Sequence, residues 1–392
     1  MPVEPVDRLA ASRPNHAGVD TPVWRRSLLA PTRGATGSPP RSLPTRLASS
    51  GARQGGTMKI VITGATGNVG TSVLEALDDE PAVTEVVGLA RRQSRLPTDK
   101  ARMVSADISR DDLVPHFRGA DAVIHLAWMI QPLRDEKLLD AVNVQGSRRV
   151  FEAALAAGVP SIVYASSVGV YGPGPKDRAV DETWATTGVP SSLYSRQKVL
   201  VERQLDDIER DNPQVRIVRM RTGLVFKRGA ASEMRRYFVG RLVPTWLFRK
   251  RLIPIVPDIP QLRFQAVHGL DAGRAYCQAV VSDVRGAFNV AAEPIIDADA
   301  LARMFDARKV PMRARTLRRL VKASYRLRLQ PSSPGLLDMA LQLPIMDIRR
   351  AHEELGWTPR RSATEAIMEV FEGIKEKAGM RTAPLEPARQ VT

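Results

Sequence analysis

Tyr194 and Lys198 are four residues apart in the chain, and both carry side chains that can move or hold a proton. On a helix, this spacing places two side chains on one face, and Ser191 or Ser192 could cap such a helix. A cationic lysine beside a phenol lowers the phenol pKa from about 10 toward working pH. The pair therefore predicts proton transfer at a hydroxyl or carbonyl group, with Tyr194 as the acid or base.

A glycine-rich stretch supplies a second candidate site, Thr63-Gly64-Ala65-Thr66-Gly67-Asn68-Val69-Gly70. The apolar run 59–62 before it predicts a buried strand, and the amphipathic run 71–77 after it predicts a helix. Between a strand and a helix, such glycines give a tight turn, close approach of the backbone to a pyrophosphate and close helix packing. The helix N-terminus offers free N–H groups to phosphates. The stretch predicts a dinucleotide site, with a plain glycine turn as the alternative.

The elements that must position these residues alternate along the chain from Met58. Strands are predicted at 59–62, 83–89, 103–105, 122–126, 161–165 and 216–220, with a long helical stretch running through Val142 to Ala157. This order predicts an α/β fold with a Rossmann-type doubly wound parallel sheet and a smaller C-terminal substrate lobe. Ligands of such sheets bind at the carboxyl ends of the strands. Ser167 follows the fifth strand there and can hydrogen-bond the same substrate oxygen as Tyr194.

The end of the second strand bears on the choice between the two nicotinamide dinucleotides. An acidic residue is expected about 20 residues after the glycine stretch when NAD is preferred, because a carboxylate accepts from both ribose hydroxyls. Ala90 holds that position, and Arg91 and Arg92 follow it. Arginine can pair with a 2′-phosphate, so the sequence favours NADP, with NAD as the second choice. The alternative is that both arginines point into solvent.

Other residues at predicted strand ends complete the expected cofactor site. Asp107 ends the third strand and could accept from the adenine amino group. His125 is expected to be packed in place, and Asn143, inside a helix, more commonly forms a local structural hydrogen bond. The remaining expected contacts are Ile108, Leu126, Ala127, Asn143 and Thr222, and no metal ligand set is expected.

Together these motifs resemble the extended short-chain dehydrogenase/reductase superfamily, in its NAD-dependent epimerase/dehydratase branch, over roughly residues 58–378. The family's TGxxGxxG loop, strand-end serine and Tyr-x-x-x-Lys match the residues above, and segments 221–226, 267–272 and 355–359 resemble later family segments. The resemblance implies that hydride passes between a substrate carbon and nicotinamide C4 while Tyr194 moves the proton. It also implies that Lys198 holds the ribose and that Ser167 polarises the substrate oxygen.

The resemblance leaves three functions open. The first is epimerisation of a sugar nucleotide, because the motif order is most similar to the UDP-glucose 4-epimerase group. The second is an NADP-dependent carbonyl reductase or alcohol dehydrogenase acting on an apolar substrate. It is considered because the segment after Phe226 lacks the asparagine-bearing pattern that sugar-nucleotide enzymes use for the diphosphate. The third is a dinucleotide-sensing regulator without turnover, against which the intact tyrosine–lysine pair argues. Val168 and Gly169 follow Ser167 where sugar dehydratases have acidic residues, which argues against a dehydratase.

Composition divides the chain into a folded part and two ends. The N-terminal residues are rich in Arg, Pro, Ser and Ala without a periodic apolar pattern, which predicts disorder. The predicted divisions are a disordered extension at 1–57, a dinucleotide-binding domain at 58–226 with 262–292 returning to it, a substrate lobe at 227–261 and 293–380, and a frayed tail at 381–392.

The 392-residue chain has a formal net charge of +16 and one cysteine, Cys277. A single cysteine excludes an internal disulfide, so a reducing, cytoplasmic compartment is expected, and no apolar run is long enough for a transmembrane helix. The positive charge suits anionic ligands. The expected partner is a small-molecule substrate. Nucleic acid is not expected, and a homodimer is an open alternative.

Two stretches of the predicted substrate lobe mix cations with large apolar residues. The first, 235–256, contains Tyr237, Phe238, Leu242, Trp246, Leu247, Phe248, Leu252 and Ile253. The second, 313–328, carries Leu317, Leu320, Val321 and Tyr325 at helical spacing, with Arg318, Arg319 and Lys322 between them. Both could form an apolar pocket with a basic rim or rest on an anionic membrane as a peripheral contact. The alternative is an ordinary core face opposite a solvated face.

Overall fold

The computed structural model of the protein describes residues 57–92, 94, 96, 98–130, 134–239 and 254–386. The predicted extension, up to residue 56, and the central part of the first apolar stretch, 240–253, lie outside these residues. The strands are β1 (Met58–Thr63), β2 (Val83–Ala90), β3 (Ala101–Ser105), β4 (Ala122–His125), β5 (Ser161–Tyr164), β6 (Ala179–Val180), β7 (Arg216–Thr222), β8 (Leu224–Phe226), β9 (Ile255–Asp258), β10 (Phe264–His268), β11 (Gly286–Val290), β12 (Ala292–Ile296), β13 (Arg308–Pro311) and β14 (Ile345–Met346). The α-helices are α1 (Asn68–Asp78), α2 (Val114–Phe117), α3 (Glu136–Asp140), α4 (Gly146–Ala156), α5 (Leu193–Asp211), α6 (Ala231–Met234), α7 (Gly269–Val281), α8 (Ala298–Phe305), α9 (Ala314–Arg326), α10 (Pro334–Gln342), α11 (Arg349–Glu353) and α12 (Ala363–Lys375).

Parallel strands form the main sheet, in the order β11-β7-β5-β4-β1-β2-β3. From β1 the chain runs outward to β3 on one side and then returns to β4 on the other side, so the predicted doubly wound fold is confirmed. Thr63 pairs with His125, which brings the ends of β1 and β4 together where the winding reverses. Ligands of open parallel sheets bind at this crevice.

Both faces of the main sheet are covered by helices, which explains why the β1 sequence is almost continuously apolar. Successive strand residues point to opposite faces. Ile60 and Ile62 cluster with residues of α1 and α7, whereas Val61 clusters with residues of α4 and α5. All three side chains are fully buried. A strand held on both faces fixes the position of the glycine stretch that follows it.

Helices α1 and α7 lie in backbone contact. A Cβ atom at Gly273 of α7 would lie 2.3 Å from the carbonyl oxygen of Ser72 in α1, so only glycine fits there. The fully buried Trp357 donates from its indole N–H to the Asp271 carbonyl at 2.8 Å and holds α7 from its other side. This packing anchors α1, whose first turn belongs to the glycine stretch.

Smaller sheets lie beyond the main sheet, in the orders β12-β10-β8, β13-β9 and β14-β6. Helix α12 packs on the first of them. The smaller C-terminal part expected from the sequence is therefore present in addition to the doubly wound sheet. Across the described ranges, no helix is long and apolar enough to cross a membrane.

The helical stretch predicted through Val142 to Ala157 is divided into segments. A π-helical turn at Ala141–Gln145 joins α3 to α4. Asn143 lies in this turn and is buried. Such wide turns are frequent at functional sites because they redirect side chains, and this one directs an amide into the interior.

Residues 381–386 differ from the frayed tail that was expected. Thr382 and Leu385 are fully buried, and the Thr382 hydroxyl donates to the Thr66 carbonyl in the glycine stretch at 2.9 Å. The guanidinium of Arg236 donates to the carbonyl oxygens of Pro384 and Glu386. The segment has no periodic apolar pattern, and its burial comes from these contacts with distant parts of the chain.

Candidate active site

Tyr194 and Lys198 lie one turn apart on α5, as their spacing predicts. The hydroxyl of Ser192 caps this helix by accepting from the Ser195 N–H at 3.3 Å. The Lys198 ammonium donates to the carbonyl of Ala165, the residue after β5, at 2.6 Å. The start of α5 therefore lies against the carboxyl end of the central sheet.

Ser167 lies just beyond β5, where its hydroxyl is near enough to the Tyr194 phenol to lower the pKa of that group. Its hydroxyl also accepts from the Gly169 N–H at 3.0 Å and caps a 3₁₀ turn at Val168–Val170. Gly169 is needed in this turn, because a Cβ atom there would lie 2.9 Å from the Tyr194 ring. The fold thus brings together the serine and the tyrosine that the sequence singled out.

The pKa of Tyr194 is raised, whereas the sequence predicted that Lys198 would lower it. Burial is the main cause, because it disfavours the phenolate, and the nearby Ser167 hydroxyl opposes it. The Lys198 ammonium lies 5.8 Å from the centre of the Tyr194 ring and donates to Ala165 and, at 3.2 Å, to the Tyr164 hydroxyl. In this structure Tyr194 is therefore a neutral phenol, the form that serves as a general acid.

Lys198 is buried beneath an aromatic ring that the sequence did not single out. Its ammonium lies 3.5 Å from the centre of the Trp128 ring, and the Trp128 ring meets the Tyr194 ring edge-on at 5.9 Å. Burial lowers the pKa of Lys198 well below its usual value, and the Glu202 carboxylate acts in the opposite direction. The indole Nε1 of Trp128 is buried and has no hydrogen-bond partner among the described residues.

Glu202 lies one turn beyond Lys198 on α5 and forms a buried ion pair with Arg221 of β7. The two side chains meet through two hydrogen bonds, of 3.0 Å and 2.7 Å. The Ser166 hydroxyl donates to the same carboxylate at 2.5 Å. Since Ser166 precedes Ser167, this ion pair fixes the strand end that carries the serine of the site.

The glycine stretch has the close backbone approach that a dinucleotide diphosphate requires. Gly64 has φ of +76°, and a Cβ atom there would lie 2.7 Å from the Ala127 nitrogen. A Cβ atom at Gly70 would lie 2.3 Å from the Gly64 carbonyl oxygen, whereas one at Gly67 would meet nothing closer than 3.4 Å. The Asn68 side-chain oxygen is buried without a partner in the described part of the chain, and as an acceptor it suits a hydroxyl or amide N–H group of the cofactor. The predicted cofactor site therefore fits the group it is expected to hold.

His125 is part of a hydrogen-bonded chain beneath the cofactor site. Its Nδ1 lies 2.6 Å from the Thr63 hydroxyl and its Nε2 lies 2.8 Å from the Ser147 hydroxyl. Ser147 donates its own proton to the Asn143 carbonyl at 2.5 Å, so Nε2–H donates to Ser147 and Nδ1 accepts from Thr63. Burial lowers the pKa of His125 to about 3, helped by the charge of Lys198. The imidazole is therefore neutral and structural, as expected.

Asn143 holds the loop after β4, and most of its hydrogen-bonding capacity is used there. Its side-chain oxygen accepts from the Met129 N–H at 2.7 Å. Its amide donates to the Met129 carbonyl at 2.9 Å and to the Gln197 side chain at 3.0 Å. The structure shows the local structural role that the sequence raised for Asn143, while the contact between Asn143 and the cofactor stays a prediction. It ties the Trp128 loop to α5.

The strand ends beyond β1 place the remaining predicted cofactor residues along one edge. Asp107 follows β3 and accepts from the Ser109 hydroxyl at 2.7 Å. Burial raises the pKa of Asp107, but hydrogen bonds from Ser109 outweigh it, so the pKa lies below its usual value. Arg91 and Arg92 are exposed at the end of β2. Ile108, Leu126, Ala127 and Thr222 also lie at or just beyond strand ends.

Residues 60–291 match the family model of the NAD dependent epimerase/dehydratase family. The chain belongs to this family. The similarity covers the sheet, the glycine stretch and the Ser167, Tyr194 and Lys198 site of this family member. Its described residues beyond position 291, which include α9 and α10, lie outside the match.

Curated relatives of this family member include characterised and uncharacterised proteins. An uncharacterised protein of Mycobacterium tuberculosis is 24% identical over 332 residues, which cover 80% of this chain and 83% of that protein. The UDP-glucose 4-epimerase of Azospirillum brasilense is 32% identical over 157 residues, which cover 38% of this chain and 44% of the epimerase. The similarity to that named enzyme is therefore confined to part of each chain.

Solved structures show the same fold at low sequence identity. The UDP-glucose 4-epimerase of Thermotoga maritima with UDP-glucose superposes with a TM-score of 0.61 at 19% identity, over 81% of this chain and 99% of that one. The UDP-glucuronic acid 4-epimerase of Bacillus cereus, with UDP-glucuronic acid and NAD, gives a TM-score of 0.58 at 18% identity, over 81% and 99%. This family member therefore has the fold of these epimerases.

Sequence reasoning missed several residues that shape the site. Glu202 could have been predicted from the sequence, because it continues the four-residue spacing of Tyr194 and Lys198 and so shares their helix face. Trp128 and Thr382 gave no such signal, since each meets the site only through the tertiary fold. Lys227 is a further case: its buried ammonium donates to two hydroxyls in the first turns of α1, those of Thr71 at 2.6 Å and Ser72 at 2.8 Å.

Proposed function

We propose that this family member transfers hydride between a nicotinamide dinucleotide and an alcohol carbon, and that its leading reaction is epimerisation of a sugar nucleotide. The observation that carries the proposal is the grouping of Ser167, Tyr194 and Lys198 at the carboxyl end of the sheet. Gly169, whose N–H donates to the Ser167 hydroxyl, lies against the Tyr194 ring, one helical turn from Lys198. The two hydroxyl groups can address one substrate oxygen, and the glycine stretch lies at the same edge of the sheet.

The residues of the proposed site have separate roles around that substrate oxygen. When bound, the nicotinamide accepts and returns a hydride. Tyr194 is kept protonated by burial and would give its proton to a carbonyl oxygen and recover it when the oxygen is a hydroxyl. Ser167 would hydrogen-bond the same oxygen and restrict its position. Lys198 would hold the ribose, while Glu202 acts to keep its ammonium charged.

Two cations near the site support a substrate that carries a diphosphate. Lys176 donates to the carbonyl oxygens of Arg263 and Ala340 at 2.7 Å and 2.8 Å, and the Arg263 Nε is buried with no partner among the described residues. Burial lowers the pKa of Lys176 to about 8, with the charge of Arg263 contributing, so Lys176 stays mostly charged at neutral pH. Ala340 follows Met339, whose sulfur approaches Gly169. The pair fits an anionic group better than a sugar alone.

A second candidate function is NADP-dependent carbonyl reduction on an apolar substrate. It is favoured by the end of β2, where Ala90 stands in place of the carboxylate expected for NAD. Arg91, the next residue, could pair with the 2′-phosphate of NADP. The walls around Tyr194 also include apolar groups, the ring of Trp128 at 5.9 Å and the Met339 side chain beside Gly169. The relatives that are named UDP-glucose 4-epimerases give the first candidate its priority.

One experiment separates the two candidates. The purified protein is denatured, and the released dinucleotide and any released nucleotide sugar are identified by mass spectrometry. The protein is then assayed for conversion of UDP-glucose to UDP-galactose without added reductant, and for NADPH consumption with apolar ketones. The first candidate predicts retained dinucleotide and epimerisation without added reductant. NADPH consumption without epimerisation favours the carbonyl reductase. A bound dinucleotide with neither activity favours the dinucleotide-sensing regulator.

A further inference from the structure

Helix α9 is strongly amphipathic, yet none of its residues is fully buried. Leu317, Val321 and Tyr325 are only half-buried. An amphipathic helix on a globular protein normally buries its apolar stripe against the core. The apolar side of α9 is therefore only partly covered within the described part of the chain.

Leucines project from α9 and from the turn that follows it. Leu320, Leu327 and Leu329 have exposed fractions of 55%, 69% and 53%. Leu320 and Leu327 are seven residues apart, about two helical turns, so both lie on one side of the helix. Exposed large apolar residues grouped in this way mark an interaction surface more often than scattered ones.

A strip of cations runs along the helix, about a third of its circumference away from these leucines. Arg315, Arg319, Lys322 and Arg326 are all exposed and repeat at three- and four-residue spacing, so they share one side. None of them has a described carboxylate within 4 Å, whereas Arg318, nearer the protein, is paired with Asp338 of α10. The sequence between Asp306 and Asp338 contains no acidic residue.

The combination of exposed cations and exposed leucines on α9 indicates which kind of partner binds this surface. Exposed cations without a described carboxylate partner attract an anionic surface, and exposed leucines on the same helix gain by burial in an apolar layer beneath it. The interface of an anionic bilayer has that order, with phosphate groups outside and acyl chains about 5–10 Å below. A soluble polyanion offers only the charges. We propose that the α9 surface, defined as Arg315, Arg319, Leu320, Lys322, Arg326 and Leu327, rests on anionic membranes as a peripheral contact.

The α9 surface is tied to the wall of the proposed active site. Arg134 lies in the loop that carries Trp128, stacks on the Tyr325 ring at 4.0 Å and donates to the Tyr325 carbonyl at 2.6 Å. Helix α10, which packs against α9, abuts the start of α5, because a Cβ atom at its Gly335 would lie 2.3 Å from the Ser191 carbonyl. Docking would therefore place the Trp128 loop near the bilayer, where membrane-borne substrates are found.

The test is co-sedimentation of the full-length protein with two kinds of vesicle. One is pure phosphatidylcholine, and in the other about a quarter of the lipid is phosphatidylglycerol. We expect at least tenfold stronger partitioning to the anionic vesicles, and a decrease when the salt concentration is raised. Arg319→Glu with Lys322→Glu should reduce partitioning at least tenfold, because each basic residue near the surface contributes to binding. Leu320→Asp with Leu327→Asp should reduce it comparably, because the apolar contact is lost.

A matched charge control separates the surface from the net charge of the protein. Arg102 and Arg118 are exposed outside the α9 surface, on β3 and after α2. Reversing both charges changes the net charge by the same amount and should leave partitioning within about twofold. Unchanged dinucleotide binding checks that each variant is folded. The proposal is overturned if the anionic vesicles give no advantage or if the control loses binding equally. It is also overturned if the leucine variant binds normally and heparin competes fully, which indicates a soluble polyanion.

Discussion

The ammonium of Lys198 lies 3.5 Å from the centre of the Trp128 ring. Two of its N–H groups are directed to Ala165 and Tyr164, and the ring face takes the third direction. A ribose hydroxyl that binds Lys198 must therefore share the ammonium with these groups or move the ring aside. If Lys198 holds the ribose as proposed, Trp128 competes with the dinucleotide for the ammonium.

Replacing the indole should strengthen dinucleotide binding. A desolvated cation–π contact is worth up to about 2 kcal/mol, so we expect Trp128→Ala to bind NAD roughly 2- to 30-fold more tightly in a calorimetric titration. Trp184→Ala, which removes a tryptophan whose ring lies against Arg178, is the matched control and should bind NAD as the wild type does. Weaker binding by Trp128→Ala would show instead that the ring contributes to the cofactor site.

The buried ion pair of Glu202 and Arg221 should be costly to break from one side. Glu202→Gln leaves a buried guanidinium without its carboxylate, which costs about 3–5 kcal/mol. We expect that loss in the free energy of unfolding measured with urea. Adding Arg221→Met removes the unpaired charge and should restore a large part of it. A Glu202→Gln protein as stable as the wild type would contradict the structural role assigned to the pair.

The preference for NADP is a prediction about Arg91. An exposed ion pair is worth little, but an arginine that pairs with a phosphate through two hydrogen bonds contributes more. We expect Arg91→Ala to weaken NADP binding about tenfold, a typical effect of losing one charged hydrogen bond, and to leave NAD binding within about twofold. Arg118→Ala, which removes an exposed arginine after α2, is the control. Equal affinities for NAD and NADP in the wild type would refute the preference.

His125 should make stability depend on pH. Its pKa is about 3 in the fold and about 6.5 in an unfolded chain. Between these values the unfolded chain binds a proton that the folded chain does not, so the free energy of unfolding falls as the pH drops from about 6.5. The contribution is fully present above that pH. We expect Tm to fall less between pH 7 and pH 5 in His125→Gln than in the wild type. Parallel Tm curves would contradict the neutral imidazole.

The sequence was a good guide wherever spacing along one element decides the structure. Gly64 and Gly70 were predicted because a strand, a turn and a helix follow one another without interruption. Tyr194 and Lys198 were predicted because a helix face repeats every three to four residues. In the same way, the alternation of strands and helices predicted the doubly wound sheet.

The sequence was a poor guide wherever distant segments meet. Trp128 lies against Lys198, and the next residue, Met129, is held by Asn143. Thr382 reaches the Thr66 carbonyl across a separation of 316 residues. The raised pKa of Tyr194 follows from burial, and the depth at which a side chain lies is a property of the packed fold and not of the motif.

The central claim is that Tyr194 moves the proton, and one measurement tests it directly. Turnover of Tyr194→Phe and of the wild type is compared at equal dinucleotide occupancy, on whichever of UDP-glucose or the apolar ketones the wild type converts. Tyr325→Phe, a tyrosine on α9, is the control and should keep normal turnover. The account predicts that Tyr194→Phe binds the dinucleotide normally and loses about 10²- to 10⁴-fold in turnover. Turnover equal to that of the wild type would contradict it.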